Sequence, residues 1–209
     1  MIIILYVVAL LFGFVIPLFI CLFAIFTIIS DIFGAPYVPT SSKILDEILK
    51  EARLEKGQLF IELGSGDGRV LRRAVKNFQV KGVGVDMNPL LIIYSKTLTS
   101  FMNLNNIHFK VGDIYKEDLK KADAIFLFLL PRTVNKLREK ILGECRKNTL
   151  VISHGFKIEG WEKYLVKTQK RKLFSTYFYK ITYQRQLVLT SLNPKYLPKK
   201  KLKSCEIDW

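Results

Sequence analysis

From Met1 to Ser30 the chain has no charged side chain, and its first acid is Asp31. A cleaved leader is the rival reading, disfavoured because there is no basic start, the apolar core is too long and no convincing A-x-A site follows. A helix buried in a soluble core is disfavoured, because the run is apolar on every face. The run exceeds the ~20 apolar residues that span a bilayer, so the sequence predicts one transmembrane helix over 1–30, kinked near Pro17. Cysteine is also scarce: Cys21 lies in the apolar run, and Cys145 and Cys205 stand alone. That spacing excludes a disulfide framework and a cysteine metal site. There is no internal repeat and no recognisable nucleic-acid-binding motif. Acids are few, 18 against 33 Lys and Arg, which leaves a net charge of +15.

All of that side-chain charge follows the apolar run. No Lys or Arg precedes the predicted helix, so the positive-inside bias puts the rest of the chain on the cytoplasmic side of a single-pass membrane protein. The excess lysines suit attraction to anionic headgroups, and a solvated basic face serves much of the tail as well. Nucleic acid is the weaker partner for the same charge, given the membrane helix and the missing motif. The linker 31–39 contains Gly34, Pro36 and Pro39, which stop the helix and keep the domain near the bilayer.

The rest of the chain is organised around Leu59-Phe-Ile-Glu-Leu-Gly-Ser-Gly-Asp-Gly-Arg-Val70. It reads as a buried strand, a glycine-rich turn and a helix from Arg69 to Phe78 whose free N–H groups face the turn. Gly64, Gly66 and Gly68 let the backbone take positive φ and lie against a ligand. A dinucleotide turn, G-x-G-x-x-G, would need a third glycine where this chain has Arg69. Two further acids close strands, Asp86 after Gly82-Val-Gly-Val and Asp113 after Ile107-His-Phe-Lys-Val-Gly. The first is placed to accept from ribose hydroxyls and the second from an adenine amino group. No pyrophosphate is required.

These motifs resemble those of the class I S-adenosylmethionine-dependent methyltransferases. The resemblance implies that Glu62 with Gly64, Ser65, Gly66 and Gly68 holds the methionine end of S-adenosyl-L-methionine. It implies Asp86 for the ribose, Asp113 with Ile114 for the adenine, and a further cofactor contact at Met87. Pro36-Tyr-Val-Pro-Thr40, Asp86-Met-Asn-Pro89 and Tyr94-Ser95 are similar to segments of the membrane-anchored protein-lysine methyltransferases of the mitochondrial inner membrane and their relatives. That similarity covers roughly 35–160 and places Tyr37 and Thr40 at the cofactor's edge. Tyr37 serves equally well as an aromatic packed beside headgroups.

The domain is expected over 40–190, with a basic tail over 191–209. Thr40 or Ser41 caps a helix with Ile44, Leu45, Ile48, Leu49 and Ala52 on one face. Asn88-Pro89 opens another, and Leu90, Leu91, Tyr94, Leu98 and Phe101 continue its helical stripe towards the third strand. Ala122–Leu130 reads as a fully buried parallel strand and Pro131 starts the next helix. Thr149–Ser153 is the fifth strand. Tyr164–Thr168 and Phe174–Tyr183, with no helix between them, form an antiparallel hairpin. The alternation predicts an α/β, doubly wound, Rossmann-like sheet. The hairpin completes the seven-stranded plan of the family it resembles.

Methyl transfer demands alignment and desolvation more than dedicated catalytic groups. Enzymes that methylate base or glutamine amines carry an Asn/Asp-Pro-Pro-Tyr-type segment after the fourth strand. Leu129-Leu-Pro-Arg132 stands there instead, which argues against base methylation and leaves the catalytic group unassigned. His154 and Tyr37 are the candidates. A hydrogen-bonded structural role is the stronger reading for His154, and His108, inside a strand, is read the same way. By resemblance the acceptor is a protein lysine. A lipid or small membrane amphiphile is the alternative, and binding of the cofactor without turnover is a third reading.

Overall fold

Ala124–Leu127 (β4) is buried at every position, as expected of a strand covered on both faces. It occupies the middle of the structure, a computed structural model that describes residues 10–22 and 40–182. Around it lie β1 (Leu59–Leu63), β2 (Lys81–Asp86), β3 (Ile107–Val111), β5 (Leu150–Gly155), β6 (Leu165–Gln169) and β7 (Ser175–Lys180). They form one seven-stranded sheet in the order β3-β2-β1-β4-β5-β7-β6. β1 to β5 pair in parallel, while β7 runs antiparallel to both β5 and β6. The direction of winding reverses between β1 and β4, the place where open α/β sheets bind ligands.

Residues 10–22 are helical (α1) with exposed side chains. Among the described residues no helix is long and apolar enough to cross a membrane. The rest of the expected span, 1–9 and 23–30, lies outside the described residues, as do the linker, Tyr37 and the tail.

Four helices flank the sheet: α2 (Ser42–Ala52), α3 (Arg69–Phe78), α4 (Pro89–Phe101) and α5 (Pro131–Glu144). Ser41 caps α2, and Asn88 Oδ1 caps α4 by accepting from the N–H groups of Leu90 and Leu91 at 3.0 and 3.3 Å. Successive strand residues feed opposite cores. Phe60, Phe126 and Ile152 pack with α2, α3 and Ile92, whereas Ile61, Ile125 and Val151 pack with α5, Trp161 and Tyr179. Each such fully buried side chain contributes about 1.5–3 kcal/mol.

α4 departs from the expected stripe. Its buried residues are Ile92, Ser95 and Thr99, while Leu90, Tyr94 and Phe101 are exposed. The cause is space. Phe109 of β3 fills the gap beneath the glycine turn, lying against Gly68 and Gly84, and the small Ser95 of α4 fits beside it. Ser95 Oγ donates to the Gly66 carbonyl at 3.0 Å, and Thr99 Oγ1 donates to the Ser95 carbonyl at 2.7 Å.

Candidate active site

The turn after β1 takes positive φ at all three glycines, 78° at Gly64, 52° at Gly66 and 72° at Gly68. Bulk is excluded there too. A Cβ on Gly64 would lie 2.6 Å from Leu129 Cδ2, and one on Gly68 would enter the Phe109 ring. The turn is bound to β2: the Val85 carbonyl accepts from the Gly64 and Ser65 N–H groups at 2.8 and 3.0 Å. Asp86, at the end of β2, accepts from Gly66 N–H through Oδ2 and from Asn88 N–H through Oδ1, both at 2.8 Å. Each carboxylate oxygen can accept a second bond, so Asp86 can still receive hydroxyl donors.

The start of α3 differs from its expected form, because its first N–H is not open to a ligand. The Asp67 carboxylate accepts from Arg69 N–H at 3.1 Å and pairs with the Arg69 guanidinium at 2.9 Å. The buried Arg72 donates to the Asp67 carbonyl at 2.5 Å. Arg69 also donates to the Thr40 carbonyl at 3.2 Å, which holds the segment ahead of α2 beside the turn. Asp67, Arg69, Arg72 and Ser95 are positioning residues to which the motifs assign no role. The one hint in the sequence is the acid inside Gly66-Asp-Gly-Arg69, in a turn that otherwise wants small residues.

Glu62 is buried within β1. Burial pushes its carboxyl well above the usual range, and the neighbouring Asp67 and Asp86 push it the same way. Among the described residues, nothing hydrogen-bonds Glu62 Oε2 or Ser65 Oγ. A buried carboxyl oxygen and a hydroxyl without partners, beside an open glycine turn, fit a ligand that brings positive charge and donors. Asp113 follows β3, half-buried; its Oδ1 accepts from Tyr115 N–H at 2.9 Å, and Ile114 beside it is buried. Met87 is exposed next to Asp86. The structure thus gathers Thr40, Glu62, Gly64, Ser65, Gly66, Gly68, Asp86, Met87, Asp113 and Ile114 along the carboxyl ends of β1, β2 and β3. Among the described residues no cluster of His, Cys, Asp and Glu could hold a metal ion.

His154 lies elsewhere, buried in β5. Its ring is 4.6 Å from that of Phe128 and 6.0 Å from that of Phe174, and its Nδ1 is 2.9 Å from Thr176 Oγ1. Burial, with the charge of Arg171, lowers its pKa to about 4, so the imidazole is neutral at physiological pH. These surroundings suit a structural histidine. His108 is exposed on the edge strand β3.

Residues 62–164 match the family model described as the ANTKMT methyltransferase domain. A protein-lysine N-methyltransferase of Saccharolobus islandicus is 31% identical over 149 residues, 68% of this chain and 91% of that protein. The human lysine N-methyltransferase named for the ATP synthase c-subunit is 28% identical over 60% of this chain and 54% of its own length. The chain spans about half the length of the vertebrate lysine N-methyltransferases it matches. Among solved structures, an RNA methyltransferase from Salinibacter ruber in complex with S-adenosyl-L-homocysteine aligns with a TM-score of 0.67 and 28% identity, covering 70% of this chain and 95% of that one. The unpartnered Glu62 Oε2 and Ser65 Oγ, the positive-φ turn and the Asp86 carboxylate are the features such a cofactor needs. The chain therefore belongs to the ANTKMT-type family of class I methyltransferases, and it is an enzyme that uses S-adenosylmethionine.

Proposed function

We propose that the protein is a membrane-anchored protein-lysine N-methyltransferase. The observation that carries this reading is the match to the Saccharolobus islandicus protein-lysine N-methyltransferase along 91% of that enzyme's length. Site chemistry supports it. When bound, S-adenosylmethionine supplies an electrophilic methyl group on a sulfonium. Glu62, Ser65 and the three glycines hold the methionine portion, Asp86 the ribose, and Asp113 with Ile114 the adenine. Thr40, whose carbonyl accepts from Arg69, borders the same edge.

Beyond the switch point the sheet edge changes character. Leu129, Leu130, Phe128 and Phe174 follow β4 or precede β7, and His154 among them is uncharged. An apolar setting disfavours an ammonium and favours the neutral amine that attacks a methyl group. A lysine whose stem packs on leucine and phenylalanine gives its proton to solvent water as it enters, without a dedicated base. Supported by the uncharged run 1–30 and the lysines that follow it, the anchor is a single pass with the catalytic domain on the cytoplasmic side, near anionic headgroups.

Incubating membranes that contain the protein with methyl-labelled S-adenosylmethionine tests the acceptor. Label on lysine in a protein band is the expected result. Label in the lipid extract would favour the amphiphile reading, and label in RNA would match the activity named for the Salinibacter ruber relative. Binding without transfer would leave a non-catalytic binder. Protease reaching the C-terminal tail from the far side of sealed membranes would overturn the topology.

A further inference from the structure

α4 carries an outward face unlike those of the other helices. Leu90, Ile93, Tyr94 and Phe101 are 62%, 61%, 51% and 79% exposed. They stand at i, i+3, i+4 and i+11, so they line one stripe about 16 Å long at 1.5 Å per residue. Exposed Met87 and Met102 sit at its two ends. From Pro89 to Phe101 the sole charge is Lys96, and there is no acid. By contrast, the exposed side of α2 has Asp46, Glu47 and Glu51, and that of α5 has Arg132, Lys136 and Glu139. A stripe of this kind is costly in water and has no partner among the described residues.

We infer that the α4 stripe is an interfacial docking surface for an anionic lipid bilayer. A helix lying in the membrane plane buries its apolar face about 5–10 Å into the headgroup and acyl boundary and keeps cations, not acids, at the rim. Lys96 meets that requirement, since its stem can lie along the apolar surface while its ammonium reaches a phosphate. Lys116, exposed beyond β3, is a further cation in the segment that follows the edge strand. Position supports a lipid occupant too. The stripe starts at Met87, directly after Asp86, so a bilayer against α4 borders the cofactor edge and favours acceptors at the membrane surface. The surface complements the proposed anchor: the anchor keeps the domain close, and α4 sets its orientation.

Depth-dependent quenching tests this on the full chain. Cys21, Cys145 and Cys205 are replaced by Ala, and single labels are introduced by Phe101→Cys, Ile93→Cys, Lys136→Cys and Ile16→Cys. Each variant is first checked for cofactor binding, then reconstituted in phosphatidylcholine–phosphatidylglycerol vesicles with quencher-bearing acyl chains. The expected result is several-fold quenching at Phe101 and Ile93, with none at Lys136 on α5. Quenching at Ile16 without quenching at Phe101 would overturn the docking surface and leave the anchor standing. Quenching at Phe101 without Ile16 would do the reverse. No quenching at either would remove both. A Phe101 label that changes with protein concentration but not with lipid would assign the stripe to a second copy of the chain and overturn the inference.

Discussion

The carboxyl edge of the sheet has two halves that solve opposite electrostatic problems. At or just beyond the carboxyl ends of β1, β2 and β3 stand Glu62, Asp67, Asp86 and Asp113, and the carboxyl of Glu62 is pushed well above its usual range because burial and two neighbouring acids oppose its charge. Beyond β4 come Phe128, Leu129 and Leu130, and near the end of β5 stands a histidine kept uncharged by burial. A cationic cofactor belongs on the first half and an amine that must lose its proton on the second. The boundary is the switch point between β1 and β4, where Leu129 lies against Gly64. Chemistry at this site needs the two halves to differ, more than it needs any one side chain.

The largest break in the acidic half is expected from Gly68→Val. The new side chain meets the Phe109 ring at a φ of 72°, so the turn and the β3 packing are lost together. Overpacking combined with left-handed strain costs about 3 kcal/mol or more. Calorimetry with S-adenosylmethionine should then detect no binding, and wild-type affinity would show that the turn is not the cradle. Asp86→Ala comes next. It removes both carboxylate bonds that fix Gly66 and Asn88 as well as the ribose acceptor. At about 1.5–3 kcal/mol for each charged bond, affinity should fall about 100-fold or more while the fold persists.

The sequence made the acidic half legible and left most of the apolar half unread. Glycines, strand-end acids and an Asn-Pro cap each have a local physical meaning, so α3 and the start of α4 fall where the motifs put them. The doubly wound sheet and its terminal hairpin also follow from the succession of strand-like and helix-like runs. What failed was long-range. Leu90, Tyr94 and Phe101 have the helical spacing of a core stripe, but spacing does not say which face the sheet will take. Phe109 takes the volume against Gly68 and Gly84, Ser95 fits beside it, and the face of α4 turned inward is that of Ile92, Ser95 and Thr99. The Asp67 contacts with Arg69 and Arg72 are equally hidden, because a charge next to a glycine looks the same in sequence whether it binds a ligand or braces the turn.

The apolar half can be probed through its histidine. His154 has its pKa lowered from 6.5 to about 4 in the folded chain, so the unfolded chain binds the extra proton first. Its contribution is fully present above pH 6.5 and is lost as pH falls towards 4, in total on the order of 3 kcal/mol. His154→Phe should remove that acid sensitivity. Thr176 keeps a donor in Arg171, so little is lost at neutral pH. Urea midpoints measured from pH 7 to 4 should therefore start close together and separate towards the acid end, where the variant is the more stable; parallel curves would mean that the imidazole is not held neutral by its surroundings.

Glu62 should respond in the opposite direction, and the difference gives the finest test of the two halves. Its folded pKa lies above its ordinary 4.5, so the folded chain holds the proton more tightly than the unfolded chain. Stability from this group is complete below pH 4.5 and declines as pH rises through the raised value. Glu62→Gln keeps a neutral group of similar shape, so without cofactor its stability relative to the parent should grow as pH increases. With cofactor the order reverses. A bound sulfonium and ammonium favour the carboxylate, and a glutamine offers them no charge, so affinity should fall about tenfold, equivalent to one pKa unit. For the parent, binding should release a proton and tighten as pH rises. A variant that binds as well as the parent, with the same pH slope, would mean that the buried acid braces β1 and does not meet the cofactor's positive charge.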